Sequence, residues 1–93
     1  MLGKIIEISD INFMYNNELL PIMEAKLVVS DRYNANKHTS DNDEVFDIKF
    51  IGNICEYVYR NVQNENLVYV QGSVRKLVNN DSIYILGEKL VKL

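Results

Sequence analysis

The chain has 93 residues, 47% of them hydrophobic, which indicates one globular domain spanning residues 1–93 and argues against disorder. A single Cys (Cys55) and a single His (His38) exclude an internal disulfide and a protein-only zinc site of the usual kind. Ten Lys and Arg against 13 Asp and Glu give a net charge of −3, so binding of an anion would require local clustering of cations.

The first half of the chain predicts two strands. Residues 2–8 predict a strand with apolar residues on both faces, and residues 9–20 predict a loop rich in Asn and Asp. Alternation over residues 22–32 predicts a second strand, with Pro21 at its start. Its inward residues are expected to be Met23, Ala25, Leu27 and Val29, and its outward residues Glu24, Lys26, Val28, Ser30 and Arg32. The polar residues 33–44 predict a long hairpin loop.

The middle of the chain predicts a strand followed directly by a helix. Residues 45–51 alternate, and the pattern ends at Gly52. Its inward residues are expected to be Phe46, Ile48 and Phe50, with Asp47 and Lys49 outward. Residues 54–62 then predict a short helix, because apolar residues recur at helical spacing. That apolar stripe consists of Ile54, Tyr57, Val58 and Val62. Asn53 and Glu56 are spaced as in a capping box.

The last third predicts two more strands joined by a turn at residues 79–81. Residues 67–77 predict the fourth strand, with Val68, Val70 and Val74 inward and Gly72 at a bulge or bend. Residues 82–87 predict the fifth. A single helix between the third and fourth strands of an otherwise all-β chain favours a five-stranded OB-fold barrel.

The segment FIGNICEYVYRNVQNENLVYVQGSVR resembles the bacterial single-stranded DNA-binding protein (SSB) family, in the form with one OB domain per subunit. The similar positions follow in order without gaps and are Gly52, Cys55-Glu56, Val68-Tyr69-Val70 and Gly72-Ser73-Val74-Arg75. AKLVVSDR, at residues 25–32, is similar to the family's second strand. The resemblance implies an OB fold, binding of single-stranded DNA in replication, recombination or repair, assembly as a homodimer or homotetramer, and other replication proteins as partners.

The chain departs from that family in two respects. It has no Trp, although the family stacks bases on Trp and Phe, and those positions fall near Val45, Ile51 and Asn79. Since the sequence ends at Leu93, we also expect it to lack the acidic-tipped tail by which the family recruits replication proteins. In build the chain is similar to primosomal OB proteins and to plasmid- and phage-borne relatives that lack the tail.

Binding of a single strand requires cations along a groove and flat rings on which bases stack. The candidate cations are Lys26, Arg32, Lys37, Lys49, Arg75 and Lys76. The candidate rings are Tyr33, Tyr69 and Tyr84, with Tyr15 and Phe46 also considered. The alternatives are solvated surface charges for the cations, a subunit interface for the tyrosines, and the core for Phe46. Asp47 lies on the same outward face and partly cancels the cations.

The sequence predicts no catalytic centre, metal site or cofactor, because His38 falls in the polar loop and Cys55 is expected to be packed. We therefore expect a non-enzymatic protein that binds single-stranded DNA, or RNA, with little sequence preference. The alternative is an OB-fold adaptor between proteins in a replication or conjugation complex, with weak or no DNA binding. Since no signal peptide or membrane-length apolar run is present, we expect a cytoplasmic protein without a membrane partner.

Overall fold

The computed structural model describes residues 1–14, 17–30, 43–77 and 82–93, with the side chains of residues 14 and 17–19 left aside. These ranges contain six strands and one helix. In chain order they are β1 (Leu2–Ile6), β2 (Asn12–Met14), β3 (Asn17–Val29), β4 (Glu44–Ile51), α1 (Ile54–Asn61), β5 (Leu67–Lys76) and β6 (Ile83–Lys92). No helix in this part of the chain has the length and apolar character needed to cross a membrane.

Five of the strands form a closed sheet. The strand order is β1-β5-β6-β4-β3-β2, and an additional pairing of β1 with β3 closes the ring. The β4–β6 pairing is parallel, whereas the other pairings are antiparallel. The helix α1 connects β4 to β5. This arrangement confirms the predicted OB-fold barrel, with β2 as a short additional strand beside β3.

The barrel interior is filled by the inward residues of the strands and by one face of α1. The buried apolar residues are Ile5, Met23, Ala25, Leu27, Ile48, Phe50, Cys55, Val58, Val62, Val68, Val70, Ile85 and Leu90. The predicted alternation is confirmed over the central part of β3 and β4, where Met23, Ala25, Leu27, Ile48 and Phe50 are buried and the residues between them are not. Phe50 is fully buried, whereas Phe46 is partly buried and packs against the edge of this core.

The helix α1 differs from prediction at two points. Tyr57, predicted on the apolar stripe, is 41% exposed, and the buried positions are Cys55 and Val58. The predicted capping box is also wrong, because Asn53 makes no capping hydrogen bond through its side chain. Its backbone is helical rather than extended, which turns the side chain away from the first N–H groups. The Glu56 carboxylate instead pairs with Arg60 at 2.9 Å.

The first third contains more strand than predicted. Residues 9–20 were predicted to form a loop, yet they include β2 and the start of β3, so that Pro21 lies inside β3. The carbonyl of Pro21 accepts a 2.9 Å hydrogen bond from the Gly52 N–H. Ser30, predicted outward, is buried. The strand β1 ends earlier than predicted, because Glu7 adopts a positive φ of 51°.

The β5–β6 hairpin also differs from prediction. The register shifts by one residue beside Gly72, which confirms the predicted bulge and leaves Glu88 as the extra residue on β6. The fifth strand was predicted to end at Gly87, but β6 runs past this bulge to Lys92. Val74, predicted inward, is 67% exposed. Among the described pairings, β1 covers β5 only as far as Tyr69, so Val74 lies beyond the closed part of the barrel.

Candidate nucleic-acid interface

The outward side chains of β3 and β4 form a ladder of opposite charges. Glu24 lies opposite Lys49, and Lys26 lies opposite Asp47. Residues directly opposite each other in a sheet project to the same side, and here that side faces away from the core. The face continues onto β6, because Lys49 is in register with Leu86. It also continues onto β5, where Arg75 is opposite Tyr84.

A groove of about 620 Å³ runs over this face. We call it the outer groove and define it by the residues that line it. They are Glu7, Ser9, Glu24, Ala25, Lys26, Asp47, Ile48, Lys49, Leu77, Ser82, Ile83 and Tyr84. Three carboxylates and two amines among them leave the lining with a formal charge of −1. The outer groove is therefore mixed in charge rather than uniformly basic.

Lys49 and Tyr84 form one unit within the outer groove. The Lys49 ammonium lies 4.6 Å from the centre of the Tyr84 ring, a cation–π contact. Neighbouring strands hold the pair, since β4 and β6 are in parallel register at this point. An ammonium beside an accessible ring offers a nucleotide both a partner for its phosphate and a flat surface for its base.

Lys26 is restrained by an acidic neighbour. Its Nζ lies 3.8 Å from a carboxylate oxygen of Glu7, and the two side chains are 46% and 65% exposed. Glu7 immediately follows β1, and β1 pairs with β3 in a register that places Ile6 opposite Lys26. The amine therefore pairs with the residue that follows β1, while Asp47 lies opposite Lys26 in the register with β4.

The structure brings together four of the nine residues predicted to bind nucleic acid. Lys26, Lys49 and Tyr84 line the outer groove, and Arg75 continues the same face beside Tyr84. The guanidinium of Arg75 donates a 3.2 Å hydrogen bond from Nε to the Ser73 hydroxyl. Lys76 is opposite Ile83 and, by alternation, projects to the other side of the hairpin from Arg75. The predicted residues Arg32, Tyr33 and Lys37 lie outside the described residues, as does Tyr15.

Tyr69 lies on a different part of the barrel. It is separated from Arg75 along β5 by about 20 Å, at roughly 3.3 Å per residue. Its neighbours across the sheet are Leu2 on β1 and Val91 on β6, so it belongs to an apolar row instead of a cationic one. Tyr69 is 49% exposed and Val91 is exposed as well. This setting favours the alternative considered for the tyrosines, which is a subunit interface.

Two acidic residues of the outer groove were not among the predicted site residues. Glu24 was nevertheless predicted on the outward face, because it alternates in phase with Lys26. Glu7 could not be found in this way, because strict alternation from Gly3 and Ile5 would place it on the buried face. The positive φ at Glu7 breaks that alternation and directs its side chain to Lys26 instead.

Cys55 has the setting of a packed core residue, as predicted. Its thiol is fully buried and donates to the carbonyl oxygen of Phe50, at an Sγ–O distance of 3.1 Å. Burial raises the pKa of the Cys55 thiol, because the charged thiolate would be desolvated. Such a thiol is a weak nucleophile at neutral pH. Across the described residues, no cluster of three or more His, Cys, Asp or Glu side chains could hold a metal ion.

The geometry above defines an OB-fold domain with a mixed-charge outer groove, and comparison with solved structures agrees on the fold. The SSB domain of a Synechococcus protein superposes with a TM-score of 0.75 at 9% identity, covering 97% of this chain and 88% of that one. PriB from Ralstonia solanacearum superposes with a TM-score of 0.75 at 11% identity, covering 99% of this chain and 92% of PriB.

A third similar structure is the SSB of Plasmodium falciparum in a complex with single-stranded DNA. Its TM-score is 0.74 at 22% identity, with 100% of this chain and 90% of that chain covered. No protein-family model and no curated protein matches the sequence. At these identities the similarity establishes the fold, which is the OB fold of SSB domains and PriB.

Proposed function

We propose that this protein binds single-stranded DNA through the outer groove and catalyses no reaction. The observation that carries the proposal is the pairing of the Lys49 ammonium with the Tyr84 ring on the outward face of an OB barrel. Structures with the same fold include SSB domains, one of them in a complex with single-stranded DNA. The proposal includes a role in replication, recombination or repair in the cytoplasm. RNA is the alternative ligand with which single-stranded DNA is compared.

The proposed mechanism assigns phosphates to the amines and a base to the ring. Lys49 would move from the Tyr84 ring to a phosphate, and a base would take its place on the ring face. Lys26 and Arg75 would extend the phosphate track to either side. Little sequence preference is expected, since every base has a flat face. The three carboxylates of the outer groove would weaken binding, so we expect modest affinity at physiological salt.

We propose that the segment between β3 and β4, whose residues 31–42 lie outside the described part of the chain, contributes to the site. It carries Arg32, Tyr33 and Lys37, and it directly follows β3, the strand that carries Lys26. We propose that these residues lengthen the phosphate track and add a second ring. Tyr69 and Lys76 are not included, because Tyr69 has apolar neighbours and Lys76 projects to the other side of the hairpin.

We further propose self-association, as a dimer or tetramer, through the apolar row formed by Leu2, Tyr69 and Val91. Its members come from β1, β5 and β6 and are adjacent across the sheet. Leu93 adds to the same region, since its N–H donates to the Leu67 carbonyl at 3.0 Å. Tyr69, Val91 and Leu93 are all exposed, so burial against a second subunit would remove apolar surface from water.

The proposal is tested by titrating fluorescently labelled oligo-dT with the protein and following fluorescence anisotropy. A duplex of the same length and an RNA oligonucleotide serve as comparisons, and each titration is repeated at several salt concentrations. Neutralisation of a phosphate by each of four or five of the proposed cations should give a slope of log K against log salt of about −2.8 to −3.5. Absence of binding to oligo-dT at low salt would contradict the proposal.

A second function, as an adaptor between proteins, is favoured by the formal charge of −1 on the outer groove. Three carboxylates against two amines would suit a partner protein with a basic surface. The same titration separates the two functions. An adaptor should show no salt-dependent binding to any oligonucleotide, whereas the proposed DNA-binding protein should bind single strands more tightly than duplex.

A further inference from the structure

Glu7 is held in a fixed position by the residues around it. Its φ of 51° is rare for a residue other than glycine. The following backbone is fixed on both sides: the Ile8 N–H donates to the Asn64 side-chain oxygen at 2.9 Å, and the Ser9 N–H donates to the Glu24 carbonyl at 2.8 Å. The Ser9 hydroxyl in turn accepts from the Glu24 N–H at 2.8 Å. The strained turn is therefore anchored to β3 and to the segment before β5.

This anchoring directs the Glu7 carboxylate to the one amine that β3 contributes to the lining of the outer groove. Glu7 and Lys26 both line the groove, and their charged atoms are 3.8 Å apart. A carboxylate and a phosphate compete for the same donors on a lysine. Because both side chains are about half exposed, the ion pair is weak enough to open when a stronger anion arrives.

We propose that Glu7 is a positioning residue that restrains Lys26 and so weakens the binding of single-stranded DNA in the outer groove. The inference rests on the proposed function, since it concerns the same site. In the free protein the Lys26 ammonium is paired with the Glu7 carboxylate. Binding of a phosphate requires that this pair open, so Lys26 contributes little to affinity and little to its salt dependence. Removal of the Glu7 charge frees the amine for phosphate.

The test compares oligo-dT binding by the wild-type chain, Glu7→Gln, Lys26→Gln and the double variant, at several salt concentrations. Glu7→Gln should tighten binding about two- to fivefold, as expected for loss of one exposed ion pair. The slope of log K against log salt should become steeper by about 0.7, because one more phosphate is neutralised by a free cation. In the Lys26→Gln background the same change should alter neither quantity.

Glu65→Gln is the matched control. Glu65 also has a positive φ, of 76°, and is exposed, but it lies before β5 and does not line the outer groove. Its replacement should leave binding and salt slope unchanged. If thermal unfolding shows that Glu7→Gln is not folded, Glu7→Asn removes the same charge with a residue that tolerates this backbone.

The possible failures can be told apart. A wild-type chain that does not bind oligo-dT overturns the proposed function and this inference together. A wild-type chain that binds, with Glu7→Gln showing the same affinity and slope, overturns the inference alone. The inference would also be overturned if Glu7→Gln tightened binding equally in the wild-type and Lys26→Gln backgrounds. The Glu7 carboxylate would then repel DNA directly instead of restraining the lysine.

Discussion

Replacement of Tyr84 by Ala should weaken the binding of single-stranded DNA by about 2- to 30-fold. Stacking of a base on an aromatic side chain is worth about 1–3 kcal/mol. The ring face already holds the Lys49 ammonium at 4.6 Å, a contact worth about 0.5–1 kcal/mol at an exposed site. The base must displace that cation, so the net loss on removing the ring is about 0.5–2 kcal/mol, which corresponds to the stated range.

The measurement is oligo-dT anisotropy at one salt concentration, with Tyr84→Phe and Tyr57→Ala as companions. Tyr84→Phe keeps the ring and should bind as the wild-type chain does. Tyr57 is an exposed tyrosine on α1 that does not line the outer groove, so its loss should have no effect. Thermal unfolding of each variant separates a binding defect from a folding defect.

Either of two results would contradict the stacking of a base on the Tyr84 ring. One is a folded Tyr84→Ala variant with wild-type affinity, which would show that no base stacks on this ring. The other is an equal loss in Tyr84→Phe, which would show that the hydroxyl group and not the ring face carries the interaction.

Three further variants test packing, ionisation and assembly. Phe50→Ala should lower the free energy of unfolding in urea by about 3–5 kcal/mol, and Phe46→Ala should lower it by less because Phe46 is only partly buried. Equal decreases would contradict the difference in burial between the two rings. Because burial raises the pKa of Cys55, the unfolded chain loses the thiol proton first. The free energy of unfolding should therefore fall above about pH 8.5, by at most about 1.4 kcal/mol per pH unit, and it should fall less steeply in Cys55→Ala. Identical pH profiles of the two proteins would contradict a raised pKa of Cys55 in the folded state. Tyr69→Lys should shift sedimentation toward the monomer, and an unchanged distribution would exclude the apolar row as an interface.

Much of the barrel is predictable because β3 and β4 follow strict alternation. Met23, Ala25 and Leu27 are buried as the sequence pattern indicates, and so are Ile48 and Phe50. The alternation predicts burial correctly in β3 and β4 because each strand is paired with a neighbour on both sides over its central part. The position of the helix between two strands was equally visible, since its period differs from that of the flanking segments.

The two ends of the chain escaped prediction for local reasons. On β6 the extra residue Glu88 shifts the phase, so that Ile85 lies inward before the bulge and Leu90 after it. A pattern of period two does not continue across such a shift, so the alternation predicts a strand only as far as Gly87. At the other end, the Asn-rich residues 9–20 have the composition of a turn, yet pairing with β3 makes a strand of Asn12–Met14.

The outward placement of the outer-groove cations was predictable, as was that of two of its three acids, Glu24 and Asp47, whereas that of Glu7 was not. Lys26 and Lys49 were placed on the outward face by alternation alone, and Tyr84 by the same count. The role of Glu7 depends on one backbone angle and on a contact with β3, neither of which leaves a local signal in the sequence. The Lys49–Tyr84 contact likewise depends on the parallel β4–β6 register. Sequence patterns report which face a residue occupies, whereas the partners across that face depend on the tertiary fold.

The location of the binding surface is tested most directly by NMR of the ¹⁵N-labelled protein during titration with oligo-dT. We predict that the largest amide shifts occur at Lys26, Lys49, Arg75 and Tyr84, with α1 and Val91 nearly unaffected. Shifts concentrated on α1 or beside Val91, or no shifts in the presence of excess oligo-dT at low salt, would contradict the assignment of the outer groove as the DNA-binding surface.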